Sequence, residues 1–519
     1  MASRAGAIRP GATVLALAVA GLILAPTLAL VPAGVALAPG DWGALRFSLL
    51  QAALSALASG LLAVPLARAL ARRRFPLRGL VLTLLGAPFL MPVVVAVIGL
   101  LTVWGRSGWL NAGLAALGLP GFTIYGLQGV VLAHVFLNLP LATRMLLLGW
   151  QSVPAERFRL AQTLGLPPRA LFRHLELPLL VEHLPGTILT VFLICLNSFV
   201  IGLTMGGGPR ATMLELAIYQ AIRFDFDLGH AATLALLQFA TCAAAVALTA
   251  RLARPAALGA GLGAGLGRLS GIPAPAGWRR ALDASAIALA LAFLILPIAA
   301  VLAAGLPGLT TLPATVWASA LRSLLLALGA GALATLTATT LALAAAAQAP
   351  FARAFDLAAT MPLAASSLVI GTGAFLILRP WVAPETAALP VTLIANAALA
   401  LPFAFRLILP HARQIQADYG RLAAALGLTG RARLRWLDLP RLARPLGLSI
   451  GLASALAMGD LGVIALFAGD RSTTLPLMVQ RLAGAYRMDQ AAAASVLLIL
   501  LSFALYAGFD AWGRARAAA

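Results

Sequence analysis

Lysine is missing from this chain. Its 519 residues carry 37 basic side chains, and every one is Arg. Without Lys there is no G-x-x-x-x-G-K-[ST] loop, because the ammonium group that reaches the β- and γ-phosphates is lacking. If ATP is used, another subunit binds it. Charge of either sign is scarce, at 10% of residues, where soluble domains carry about 25%. Aromatic residues make up only 7%. Cysteine is limited to Cys195 and Cys242, in apolar segments and not spaced as a metal site or a disulfide framework. They read as buried thiols acting as small apolar residues. The five His are scattered, no H-E-x-x-H or G-x-S-x-G pattern occurs, and no catalytic or metal-binding constellation emerges.

Apolar residues supply 61% of the chain, with a mean hydropathy of +0.97. A water-soluble fold cannot hide that much apolar surface, so the class is an all-α, polytopic membrane protein. Ala, Leu, Val and Gly dominate, and the small ones among them let transmembrane helices approach closely. Runs of about 20 apolar residues fall near 12–36, 47–70, 79–104, 124–149, 183–204, 230–251, 283–306, 316–348, 356–378, 387–410, 446–468 and 490–512, about twelve spans. The first follows Arg4 and Arg9 and is too long for a cleaved signal peptide, so it is expected to be retained.

The net charge of +21 is explained by where the Arg fall. Alternate connecting segments hold Arg68 to Arg78, Arg157 to Arg173, Arg251 to Arg280, Arg421 to Arg444, and Arg514 with Arg516, while the segments between them hold few. This is the positive-inside pattern of a polytopic membrane protein, and it places both termini in the cytoplasm. It gives no ground for nucleic-acid binding.

Two of the Arg-rich segments are near copies. "LAQTLGLPPRALFRHLELPLL" (160–180) and "LAAALGLTGRARLRWLDLPRL" (422–442) share 12 of 21 residues, with Leu160 falling on Leu422 and Pro178 on Pro440, an offset of 262 residues. The same offset places Thr212 on Thr474 and Asp227 on Asp489. The chain is therefore a same-direction tandem repeat. Residues 1–252 form the first copy, 253–282 a Gly/Ala/Pro-rich linker, and 283–519 the second copy. An even number of helices per copy gives both the same topology. That implies a pseudo-two-fold axis along the membrane normal, with a substrate path most naturally between the halves.

Within each basic stretch the pattern predicts a short helix (Arg157 to Leu164, Tyr419 to Leu426) stopped by Gly165 or Gly427. An amphipathic run from Arg169 or Arg431, lying at the interface, should follow, with Pro178 or Pro440 at the entry to the next span. A basic loop that only holds topology is the bland alternative. It leaves unexplained why Gly, Leu-x-Leu-Pro and their separation persist in both copies.

Gly, a bulky apolar residue ten positions on, then x-Leu-Pro, resembles the "EAA" signature of binding-protein-dependent ABC importer permeases. The resemblance implies the type I permease fold, with two coupling segments, 156–178 and 418–440, that dock on a dimer of ATPase subunits. The residues carried over are Arg159, Ala161, Gly165, Leu177 and Pro178, and Arg421, Ala423, Gly427, Leu439 and Pro440. The triplet's acidic residue is replaced by Arg159 and Arg421, so no salt bridge from that Glu carries over. Residues 125–154, 206–227 and 459–492 look like the thiamine/thiamine pyrophosphate importer permeases. This likeness implies an inner-membrane permease that takes thiamine, and its phosphates, from a periplasmic thiamine-binding protein. ATP and magnesium would be used by the partner ATPase, with no cofactor on this chain. Fused ferric-iron and phosphonate permeases share the architecture and match these stretches less well.

Polar groups inside spans are the candidates for a substrate path: Asn138, Asn197 and Ser198, and Asp460, which stands at Ser198 plus the repeat offset. A carboxylate at Asp460 can stabilise a passing thiazolium by Coulomb attraction; its other reading is a partner for an Arg or the cap of a broken helix. His134 reads as a satisfied interhelical hydrogen-bonding group. The mixed charges of 206–229 and 470–489 suit either a solvated surface or docking of the binding protein. A secondary transporter with two parallel halves is the rival reading, against which stand the few acidic residues within spans. A membrane-embedded enzyme lacks any convergent acid–base set.

Overall fold

The computed structural model describes residues 9–34, 36–73, 75–76, 78–85, 91–206, 208, 211–252, 277–347 and 351–518. The first sequence copy contains α1 (Arg9–Leu30), α2 (Pro39–Arg72), α3 (Arg78–Leu84), α4 (Val93–Trp104), α5 (Trp109–Ala116), α6 (Leu127–Ser152), α7 (Ala155–Thr163), α8 (Pro168–Leu196), α9 (Phe199–Met205), α10 (Leu214–Arg223) and α11 (Leu228–Leu252). The second contains α12 (Trp278–Gly305), α13 (Ala314–Ala347), α14 (Ala352–Thr360), α15 (Ser367–Leu378), α16 (Pro384–Ala425), α17 (430–458), α18 (Gly462–Phe467), α19 (Leu475–Gly484) and α20 (Met488–Ala518). Among the described residues eleven helices or helix pairs are long and apolar enough to cross a membrane. The α14–α15 stretch, bent by 90°, brings the number to 12. The protein is a polytopic all-α membrane protein.

Two compact units form, and neither is a sequence copy. One comprises residues 42–213 and 244–304; the other comprises 1–41, 214–243 and 305–519. The first long helix of each copy has changed sides: α1 packs with the second copy's helices, and α12 with the first copy's. Both are held by glycines. A Cβ on Gly373 of α15 would overlap the backbone of Pro26 in α1. One on Gly99 of α4 would lie 2.6 Å from the Pro297 carbonyl oxygen of α12. α12 adds Phe293, edge-on to Trp104 and Phe136 with ring centroids 5.8 Å apart in each pair. Elsewhere Ala does the same work. Ala327, Ala330, Ala334 and Ala338 form a buried stripe at helical spacing on α13.

The repeat offset is visible in the elements themselves. α7 and α16 end at Thr163 and Ala425, and α8 and α17 at Leu196 and Met458; each pair is 262 residues apart, as in the sequence. Three expectations need correction. The expected short helix at Tyr419 is the unbroken end of the 42-residue α16. In the first copy Pro154 forces Val153 into an extended conformation (φ −80°, ψ 121°) and separates α6 from α7; Gln416 stands at that position in the second copy and the helix runs on. The basic run is not a separate interfacial helix but the opening turns of α8 and α17, so the next span is entered before Pro178 and Pro440. Finally, residues 253–276 of the expected linker lie outside the described residues, and α12 is already helical from Trp278.

Gly373→Leu should loosen α1, destabilising the protein by about 1–3 kcal/mol and lowering its melting temperature in detergent. Gly21→Leu, on a helix face with nothing within 4 Å, should leave the melting temperature unchanged.

Candidate functional site

The two basic segments share one backbone design. α7 stops at Gly165, whose φ of +63° suits glycine, with Gly165 N–H donating to Gln162 O at 2.9 Å and Leu166 N–H to Ala161 O at 3.0 Å. α16 stops at Gly427 (φ +66°), with Gly427 N–H donating to Ala424 O at 3.2 Å and Leu428 N–H to Ala423 O at 2.9 Å. Both are Schellman motifs, so the helix ends in the same place and direction twice. Ala161 and Ala423 are buried, and their carbonyls close the motif.

After each stop comes a π turn, Phe172–Glu176 in α8 and Leu434–Asp438 in α17. Leu177 N–H reaches back to Phe172 O, and Leu439 N–H to Leu434 O. The cause is the next residue. A proline inside an α-helix lacks an N–H and its ring presses on the carbonyl four residues back; one widened turn relieves both problems. Leu-Pro therefore marks a π turn in each copy. Leu177 and Leu439 are each 41% exposed, and Pro178 and Pro440 are exposed beside them.

Ahead of each stop the helix presents exposed side chains. Arg159 and Arg421 are exposed; Arg159 reaches Glu156 at 4.0 Å with both side chains largely in water, a pair of little energetic weight. Sequence reasoning missed the neighbouring apolar side chains. Leu160 and Leu164 are 60% and 64% exposed, and Leu422 and Leu426 are 54% and 65%. At i, i+4 spacing each pair forms one apolar knob. It also passed over the two acids of Leu-acid-Leu-Pro. Glu176 and Asp438 are buried, and Arg68 Nε donates to Glu176 Oε2 at 2.6 Å, while Arg433 Nε lies 3.3 Å from Asp438 Oδ2. An acid at one register of two basic stretches was the signal for both.

The path candidates divide between the two units. In the unit built on 42–213, Asn138 Nδ2 donates to His134 O at 2.9 Å and lies 3.5 Å from Cys195 Sγ. Ser198 Oγ pairs with His134 Nε2 at 2.7 Å, and Ser55 Oγ with His134 Nδ1 at 3.2 Å. Gln51 Nε2 donates to Cys195 O at 3.0 Å. Asn197 caps α8, and Asn197 with Ser198 forms the break before α9. Asn138, Asn197 and Ser198 thus meet at one discontinuity, with His134 as its hydrogen-bonded centre. In the other unit, Asp460 occupies the break between α17 and α18. The N–H groups of Leu461, Gly462 and Val463 engage its carboxylate, and its Oδ2 is buried without a hydrogen-bond partner. Asp460 thus stands one residue before Leu461, the N-cap of α18. The residue at the His134 position is Asn396, whose Nδ2 is 3.4 Å from Ala457 O. Arg144 and Arg406 are a further matched pair inside α6 and α16, half-buried, that the offset alone would have found.

A cleft of about 780 Å³ between α2, α6 and α12 includes Leu54, Leu62, Leu139 and Phe293 in its lining, with Gln128 its one polar side chain. Such a lining suits hydrocarbon and includes no acidic side chain to balance a cation. Among the described residues no three His, Cys, Asp or Glu group as metal ligands. Of the Gly-rich turn at 206–210, Gly207, Pro209 and Arg210 lie outside the described residues. The loops after α10 and α19 each present an exposed aromatic residue in the left-handed region, Phe226 (φ 55°) and Tyr486 (φ 60°). Non-glycine residues occupy that region rarely and at some strain.

Two copies of about six spans, each with a helix-stop and π-turn segment among its Arg and a broken span beyond it, define a duplicated permease of the ABC importer class. No family model matches the chain. It is 38% identical over 483 residues to the thiamine transport system permease protein ThiP of Salmonella typhimurium, covering 90% of this chain and 88% of that protein. It is 38% identical over 471 residues to ThiP of Brucella abortus, covering 89% and 86%. The molybdenum transport system permease protein ModB of Mycobacterium bovis is 32% identical over 201 residues, 38% of this chain and 75% of that protein. The chain belongs to the family of thiamine transport system permease proteins.

His134→Leu should leave Ser55 and Ser198 without their buried partner. The expected loss is about 1–3 kcal/mol, read as a lowered midpoint in thermal or denaturant unfolding of the detergent-solubilised protein.

Proposed function

We propose that this chain is the membrane-spanning subunit of an ATP-driven importer that carries thiamine, and its phosphates, across the bacterial inner membrane. Both termini and the Arg-rich ends of the spans face the cytoplasm. The opposite ends, with Phe226 and Tyr486 exposed, receive a periplasmic thiamine-binding protein. Segments 156–178 and 418–440 dock on a dimer of ATPase subunits, which binds the ATP and magnesium; this chain binds no cofactor and performs no hydrolysis.

The observation that carries the reading is the doubled Schellman stop followed by a π turn, with its apolar knob of two exposed leucines. A helix ending at a fixed place, joined by a turn of four residues to the helix that becomes the next span, passes on a push instead of absorbing it. Leu160 and Leu164, with Leu422 and Leu426, supply the apolar anchors of each docking point. Arg159 and Arg421 ring them with positive charge and favour an acidic rim on the partner. Ala161 and Ala423, Gly165 and Gly427, Leu177 and Leu439, and Pro178 and Pro440 set the geometry of the handle. The path for substrate runs past the broken spans at Asn138, Asn197 and Ser198 and at Asp460, whose carboxylate offers a passing thiazolium a counter-charge. The names of the relatives support thiamine as the substrate.

Reconstitution with the ATPase and the binding protein is the test. Thiamine should stimulate ATP hydrolysis and drive uptake into vesicles. Stimulation by ferric iron or a phosphonate instead would overturn the substrate assignment, and uptake without the ATPase would favour a secondary transporter. Replacing both Gly165 and Gly427 by Val places a β-branched residue in the left-handed region at about 1–2 kcal/mol per site. Uptake should be lost while membrane insertion is retained; normal uptake would refute the coupling assignment.

A further inference from the structure

The two coupling segments are anchored differently, and the difference is electrostatic. In the first, the π turn is held from outside. Arg68, near the end of α2, donates through Nε to Glu176 Oε2 at 2.6 Å, and its guanidinium lies 5.0 Å from the ring centroid of Phe172. Phe172 and Glu176 are the first and last residues of the π turn, so one Arg grips both ends.

One helical turn further along α2, Arg72 takes Asp283 in a two-point hold: Nε lies 2.6 Å from Oδ2, and Nη2 pairs with Oδ1. Both side chains are buried or nearly so. Arg73 Nη1 adds a bond to Arg280 O at 3.3 Å. Arg280 and Asp283 belong to the opening turns of α12, the first span of the second sequence copy. The end of α2 is thus a bracket with the first coupling segment on one side and α12 on the other, all within one compact unit. Two-point Arg–carboxylate pairs fix distance and orientation together. α12 cannot easily slip from the bracket, since Gly99 against Pro297 and Phe293 between Trp104 and Phe136 hold it further along.

Among the described residues, no ion pair brackets the second segment to another helix in this way. Asp438 stands where Glu176 does in the first, yet its cation is Arg433 of the same segment, which also donates to Gln416 Oε1 at 2.7 Å. That pair closes the segment on itself and on the end of α16.

We propose that Arg68–Glu176 and Arg72–Asp283 form a rigid relay that carries displacement of the first coupling segment through α2 to α12, so that the two ATPase docking points are mechanically unequal. Glu176 and Asp283 are positioning residues: they touch neither substrate nor nucleotide and act through α2. The proposal rests on the coupling reading above. Buried ion pairs contribute little net stability, while removal of one partner leaves the other charge uncompensated and free to re-orient. The relay therefore shows itself in the ratio of transport to hydrolysis.

The test uses the full permease–ATPase complex in proteoliposomes with the binding protein, measuring thiamine taken up per ATP hydrolysed. Glu176→Gln and Asp283→Asn should each lower that ratio by about fivefold or more, and Asp438→Asn by less than about twofold. Glu176→Gln and Asp283→Asn together should lower it little beyond either alone, because links in series fail together. An unchanged ratio in Glu176→Gln, an equal fall in Asp438→Asn, or multiplied effects in the double variant would overturn the relay. If a neutralised variant does not assemble, Arg72→Lys carries the test, since Lys keeps the charge and loses the two-point hold. A lowered ratio is expected there, and an unchanged one overturns the relay. Absence of ATP-driven uptake in the unaltered complex would overturn the coupling reading itself, and the relay with it.

Discussion

In hydrocarbon, every backbone N–H and C=O must find its partner inside the protein. The rest of this structure follows from where that rule is strained. The chain contains 32 Pro, each lacking an N–H, and yet it crosses the membrane about a dozen times. Where a proline follows the basic run, one π turn re-registers the bonds and the helix continues, at Pro178 and again at Pro440. Where a span breaks completely, polar side chains gather. His134 bridges Ser55 and Ser198 beside the Asn197 break, and Asp460 stands beside the first N–H groups of α18 at the second.

The segments on the Arg-rich side lie in solvent, and they too are helical over most of their length. The connection between α6 and α8 is two helical pieces meeting at a Schellman turn, with the second continuing into the span. Its few buried charges, Glu176 and Asp438, are each matched by an Arg. Such pairs are weak sources of stability but exact in placement. The ion pairs of the basic segments thus serve geometry, while the small-residue contacts of α1, α12 and α13 pack the interior of each unit.

How much of this could be read in advance varied with the physical origin of each feature. Spans and the fold class followed from hydropathy, since about 20 apolar residues admit few other fates. The stops at Gly165 and Gly427 were legible because a positive φ selects glycine locally. The continuity of α16 turned on a single residue, Gln416 in place of a proline, which matters only once the copies are compared position by position. The exchange of α1 and α12 between units left no local trace. It depends on Gly373 meeting Pro26 and on Gly99 meeting Pro297, contacts between residues hundreds of positions apart. Glu176 was overlooked because a lone acid in a basic run looks like ordinary solvation; its burial against Arg68 is a tertiary fact.

Divergence between the copies is the natural consequence of fusing them. Within one chain, each position of the repeat can differ. Ser198 is answered by Asp460, His134 by Asn396, and Asn138 by Ala400. One half carries the hydrogen-bonded neutral cluster around His134, and the other carries the Asp460 carboxylate at its own helix break. The segments on the Arg-rich side diverge too: Glu176 is bound to α2, and Asp438 to its own segment. Duplication preserved the backbone of the handle, where φ angles and the proline dictate residue type, and left the side chains around it free to make the two halves unlike.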